Sequence, residues 1–209
     1  MHSALQLHTG GRRSPRVQPF LGGAGLALAR THEFCGIARR TLAMMLADRM
    51  EGPVFWISPA WAAERLHAEG MVRFADPARF SFFAPHRAED LRWVTEEALR
   101  AGNVPLVIAD IPAPPALTPV RRLHLAAEAG AVRTRRHPLG VLLTGQAGGA
   151  PGVENRWRLD PAHRPGVPGW LLTRQRARTE PPKSWRLSPG KDGFTTSPET
   201  PAAPARADR

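Results

Sequence analysis

The sequence predicts a three-layer α/β domain whose central sheet is mainly parallel and is extended at one edge by antiparallel strands. Three observations predict it. Short apolar, strand-like segments alternate with amphipathic helical segments through residue 145, the order that builds βαβ units and a parallel sheet. The segment "VPLVIADIP", 104–112, is an unbroken apolar run, as expected for a strand covered on both faces. After the glycine-rich "QAGGAPG", 146–152, three short segments follow with no helix between them, which reads as an antiparallel run.

The elements follow in order. Residues 1–19 have no sustained periodicity and predict a flexible basic arm; 20–188 form the domain; 189–209, rich in Pro, Ala, Ser and Thr, predict a disordered tail. "FLGGAGLALART", 20–31, reads as a turn, and "HEFCG", 32–36, as a buried strand. From Arg39 to Met50 the spacing of Leu42, Met45, Leu46 and Met50 marks one helical face. "GPVFWISP", 52–59, is a strand, "AWAAERLHAEG", 60–70, a short helix capped at Gly70, and "RFSFFAP", 79–85, a strand. "HRAEDLRWVTEEALRAGN" is a helix with Leu91, Val94, Ala98 and Leu99 as its apolar stripe and Gly102 or Asn103 at its end. "PVRRLHLAAEAG", 119–130, is a helix with Pro119 in its first turn, and "HPLGVLLTG", 137–145, a buried strand. "NRWRLDP", "GWLLTRQRAR" and "KSWRLSP" are the three antiparallel strands.

Composition narrows the function. The chain has 209 residues and a net charge of +11. Residues 1–30 carry four arginines and no acid, residues 31–130 have a net charge of −1, and residues 131–209 a net charge of +8. A near-neutral body with basic ends suits a polyanion or an acidic protein as partner, the alternative being a solvated, arginine-biased surface. One cysteine excludes an internal disulfide and fits a cytoplasmic, reducing setting. No apolar run approaches the roughly 20 residues that span a bilayer, so no membrane partner is expected.

Five segments in order resemble a known family: "HEFCGIARRTLAMMLA", "GPVFWI", "EDLRWVTEEALRAGNVPLVIAD", "LTPVRRLHLAAEAG" and "GVENRWRL". Together they resemble the ImuA family of bacterial proteins, in particular its alphaproteobacterial branch, from about residue 20 to 187. The resemblance implies a RecA-like three-layer fold. It implies an accessory role in damage-induced mutagenesis, alongside ImuB, a catalytically inactive polymerase-like partner, and an error-prone polymerase. RecA itself is a further candidate partner. Alternatives are a cell-division inhibitor similar to SulA, and an active RecA-like ATPase or recombination modulator.

In that comparison "EFCGIARRTLAMML" is similar to the strand, phosphate loop and first helix of the RecA-like core, and "PLVIAD" to its Walker B strand ending at Asp110. "PLGVLLTG" with the glycine-rich run after it is similar to a core strand and DNA-contacting loop. A working phosphate loop reads G-x-x-x-x-G-K-[ST]: backbone N–H groups wrap the phosphates, the lysine neutralises charge and the hydroxyl holds magnesium. Here Gly36 is followed by Ile37, Ala38, Arg39, Arg40 and Thr41, without the second glycine or the lysine. If Thr41 matches the magnesium-binding hydroxyl, the loop that starts at Gly36 is shorter than the motif requires. The predicted site is therefore a degenerate one, comprising Gly36, Arg39, Arg40, Thr41 and Asp110. Two readings stay open. A helix N-terminus with two arginines can hold an anion, or the arginines face water and acidic neighbours. Asp110 is followed by the acid-free "IPAPPALTP", which supplies no second carboxylate for metal or base chemistry.

No catalytic residue, metal site or cofactor is predicted. The eight histidines are scattered without metal-ligand spacing. The serines lack a nucleophile-elbow setting, and Cys35 lies within a buried strand and reads as inert. The remaining candidates are basic. Arg156 and Arg158 flank Trp157, while Arg174, Arg176 and Arg178 alternate as residues on one sheet face do. Arg133, Arg135 and Arg136, expected on the connection before a core strand, extend the patch. These residues are the predicted DNA or partner surface. Trp157, Trp170 and Trp185 recur in the three strands and are expected to pack them onto the core.

Overall fold

The computed structural model describes residues 16–190 and 193–199. A small hairpin, β1 (Val17–Pro19) and β2 (Gly25–Ala27), leads into β3 (Thr31–Cys35), α1 (Arg39–Asp48), β4 (Val54–Ile57), α2 (Ala68–Met71), β5 (Phe80–Phe83), α3 (Ala88–Ala101), β6 (Leu106–Asp110), α4 (Leu117–Thr134) and β7 (Leu139–Leu143). Four strands follow: β8 (Asn155–Pro161), β9 (Trp170–Ala177), β10 (Lys183–Gly190) and β11 (Gly193–Glu199). The nine-stranded sheet has the order β11-β10-β9-β8-β3-β7-β6-β4-β5. Strands β5, β4, β6, β7, β3 and β8 run parallel, and β9, β10 and β11 pair antiparallel.

The predicted α/β class with a mixed, mostly parallel sheet is therefore observed. One face packs Phe34, Trp56, Ile108, Val141 and Trp157 with α1 residues Leu42, Met45 and Leu46. The other packs Ile57, Val107, Ala109 and Leu142 with Leu91, Ala98 and Leu99 of α3 and Val120, Leu123 and Ala127 of α4. That is a helix–sheet–helix arrangement, each layer burying the apolar stripe its sequence carries.

Several boundaries differ from expectation, each for a physical reason. The helix expected over 60–70 shrinks to Ala68–Met71, and Gly70 lies inside it rather than capping it. The Ser58 and Ala60 amides donate to the Phe83 and Pro85 carbonyls, so sheet pairing uses the chain through residue 60. Beyond it Trp61 is exposed, and a short helix without a buried stripe is not stable alone. The α4 helix runs past Gly130 to Thr134, which puts Arg133 on a helix and not on a connection. Gly130 is a close-approach residue: a Cβ there would sit 2.2 Å from the Leu99 carbonyl oxygen where α3 and α4 cross. Gly102 caps α3 in the left-handed region as the sequence indicated.

"NRWRLDP" is antiparallel to β9 but parallel to β3, so it closes the parallel set as well as opening the antiparallel one. The tail expected to be disordered from 189 instead completes β10 and supplies β11, whose Phe194 packs against Trp170 and Phe74. Within the expected arm, Val17–Pro19 pairs with Gly25–Ala27; residues 1–15 and 200–209 lie outside the described residues. Among the described residues no helix is long and apolar enough to cross a membrane.

Candidate functional site

The β3–α1 turn holds four of the five predicted nucleotide-site residues. Gly36 has φ +91°, and a Cβ on it would lie 2.4 Å from the Leu159 carbonyl oxygen of β8. The turn is thus pressed directly onto the neighbouring strand. Two of its amide donors are engaged by β8: Ala38 N–H donates to the Leu159 carbonyl at 3.0 Å, and Ile37 N–H to the Asp160 carboxylate at 3.2 Å. An anion at a helix N-terminus would need these same groups. Here a carbonyl oxygen and a carboxylate from the protein's own β8 occupy them.

The arginines of the turn are drawn inward. Arg40 donates through Nε to one carboxylate oxygen of the buried Asp110 at 2.6 Å, its Nη2 lies at the same distance in the ion pair, and it also pairs with Glu64. This joins the first turn of α1 to the C-terminal end of β6, two strands away in the sheet. Arg39 reaches back to the Gly36 carbonyl at 3.4 Å, and its Nε is buried without a partner among the described residues. Thr41 is half-buried in the first turn of α1. The geometry therefore brings Gly36, Arg39, Arg40, Thr41 and Asp110 together, around an ion pair. Cys35, beside them, is buried. Burial and the nearby Glu33 carboxylate push its thiol up to about 11, so it stays protonated and unreactive near neutral pH.

A residue that the sequence reading passed over organises the opposite side of β3. Glu33 is fully buried in the middle of the strand. Its carboxylate accepts from Thr144 Oγ1 at 2.7 Å and from the Gly149 and Ala150 amides at 2.8 and 3.0 Å, and pairs with Arg156. It ties the glycine-rich run after β7 to the sheet. The signal was an acid inside "THEFC", an otherwise uncharged buried strand, where an unpaired carboxylate is very costly.

The predicted basic surface is divided. Trp157 is buried between Phe20 and Trp185. Arg174 is buried too, its guanidinium 5.7 Å from the Trp157 ring centroid and 5.6 Å from that of Trp185, and it pairs with Glu180. Arg174, Arg176 and Arg178 do not share a face: a bulge sets Trp157 opposite Arg174 but Arg156 opposite Arg176, and cross-strand partners lie on one side. Arg156 pairs with Glu33, Arg158 with Asp160, and Arg178 lies 3.9 Å from Glu154. Arg176 is exposed and has no ion-pair partner among the described residues. Arg133 and Arg136 donate to the Ala101 and Asn103 carbonyls, capping the end of α3, and Arg135 terminates α4 with φ +57°. Among the described residues no cluster of three or more His, Cys, Asp or Glu side chains forms a metal site.

No protein-family model matches this sequence, and a search of curated proteins gives no significant match.

Proposed function

We propose that the chain is a non-catalytic adaptor of damage-induced mutagenesis, built on a RecA-like core whose phosphate loop is degenerate. In this reading it belongs with the ImuA family and works with an ImuB-like, catalytically inactive polymerase-fold protein and an error-prone polymerase. The observation that carries the non-catalytic part is the closed β3–α1 turn. Leu159 and Asp160 take the Ala38 and Ile37 amides and Asp110 takes Arg40, groups that a bound triphosphate would otherwise engage. The strand–glycine–helix order at 31–48, the acid at the end of β6, and antiparallel strands added beyond β8 support the RecA-like assignment.

The pairing of Arg156, Arg158, Arg174 and Arg186 with internal acids favours contact with DNA through partners over direct contact. A deletion strain tests the proposal: ultraviolet-induced mutation frequency falls to the uninduced level, and the chain co-purifies with polymerase components from damaged cells. Unchanged induced mutation frequency contradicts it, and filamentation on overexpression without that loss assigns the chain to cell-division control instead.

A further inference from the structure

The two outer strands of the sheet are protected to very different degrees. The β11 edge carries Thr195, Thr196, Ser197 and Pro198, polar residues and a proline of the kind that blunt strand pairing. The β5 edge, "FSFF", carries no charge and no proline. Phe82 is 55% exposed and Phe83 36% exposed. They sit on opposite faces, Phe82 stacking on Phe80 and Phe83 meeting Phe55 edge-on. Trp61, 51% exposed, follows Ala60, whose amide donates to the Pro85 carbonyl at the end of the same strand.

The backbone on this side is also free. Phe83 and Pro85 direct their carbonyls to Ser58 and Ala60 on the β4 side. Strand alternation then turns the N–H and C=O of Phe82 and the N–H of Ala84 away from β4. Among the described residues no strand pairs with that edge. Basic side chains rim its C-terminal end: Arg65 donates to the Ala60 carbonyl, and Arg87, two residues after Pro85, is held only by an exposed contact of 3.6 Å to Glu89. Glu64, the acid beside Arg65, is engaged by Arg40.

We propose that the β5 edge is a docking site for an extended segment of a partner protein, apolar at alternate positions and acidic at one end, which adds a tenth strand to the sheet. Backbone hydrogen bonds to Phe82 and Ala84 supply register, Phe82, Phe83 and Trp61 cover its apolar side chains, and Arg65 and Arg87 meet its acidic end. The inference is independent of the mutagenesis role: it holds or fails on the edge itself.

The test uses the full chain and a fluorescein-labelled peptide in which valine alternates with threonine and which ends in aspartates, followed by fluorescence anisotropy. Saturable binding is expected, weakened at least about tenfold by Phe82→Lys and several-fold by Arg87→Glu. It is abolished when a proline replaces the central residue of the peptide. The thermal midpoint of the Phe82→Lys variant should match wild type, since the ring is more than half exposed. No binding, or binding indifferent to Phe82→Lys or to the proline, overturns the proposal. Self-association in sedimentation that Phe82→Lys abolishes, without peptide binding, also overturns it and assigns the edge to a second copy of the chain.

Discussion

The β3–α1 turn and the β5 edge both border the parallel part of the sheet, and they treat their polar groups in opposite ways. At the turn, the Ile37 and Ala38 amides and the Arg40 guanidinium all find partners within the protein, in Asp160, Leu159 and Asp110. At the edge, the groups of Phe82 that point away from β4 meet no strand among the described residues, and the aromatic rings beside them are exposed. Buried backbone donors are nearly always satisfied, and at the turn the Ile37 and Ala38 amides are satisfied by β8 of the same chain. The difference places recognition on the open edge and makes the turn a structural joint.

Substitutions that open the closed region sharpen the comparison most. Glu33→Ala removes the acceptor shared by Thr144, Gly149, Ala150 and Arg156 and leaves a half-buried guanidinium unpaired. It should cost about 3–5 kcal/mol, read as a lowered urea midpoint. A wild-type midpoint would break the view that the sheet holds the glycine-rich loop from beneath. Gly36→Ala comes next. Its methyl would meet the Leu159 carbonyl at 2.4 Å on a backbone with φ +91°, and about 1–3 kcal/mol of destabilisation is expected in the same assay.

The third test is a pH profile. Burial lowers His32 from 6.5 to about 4, against a hydrogen bond to the Ala27 carbonyl that raises it. The unfolded chain therefore binds a proton at a pH where the folded one does not. The stability due to the neutral ring is complete above pH 6.5 and is lost progressively as pH falls toward 4. His32→Gln should flatten that part of the urea-midpoint profile; an unchanged slope would place the acid lability elsewhere. The smallest effects belong to the surface. Arg176→Ala should change stability by no more than about 0.5 kcal/mol in thermal unfolding, and a larger loss would show that this arginine is tied into the fold like its neighbours.

Much of the fold was legible because it rests on local pattern. The apolar run 104–112 became the buried β6, the stripe of Leu91, Ala98 and Leu99 became the inner face of α3, and Gly102 stops that helix. What could not be read depends on neighbours distant in sequence. Gly130 looks like a helix end until Leu99 of α3 lies against it. The segment 60–70 reads as a short helix, but sheet pairing at Ser58 and Ala60 and exposure of Trp61 leave only Ala68–Met71 helical. The segment after Pro189 has a disordered composition, yet pairing with β10 makes it a strand.

The candidate site shows the same division. The departure from the phosphate-loop pattern was visible in "CGIARRT" itself. The partners of its arginine and of Arg156 were not, because Asp110 is 70 residues from Arg40 and Glu33 is 123 residues from Arg156. Charge counting therefore read Arg156, Arg158 and Arg174 as a surface, whereas the fold sets an acid beside each.

The central claim is that the β3–α1 turn is closed to a triphosphate. Titration of the full chain with a fluorescent ATP analogue and magnesium tests it most directly. The account predicts no saturable binding up to about 1 mM and no signal gained or lost in Arg40→Ala. Saturable binding below that concentration, abolished by Arg40→Ala or Asp110→Ala, would contradict it and return the turn to the status of a working nucleotide site.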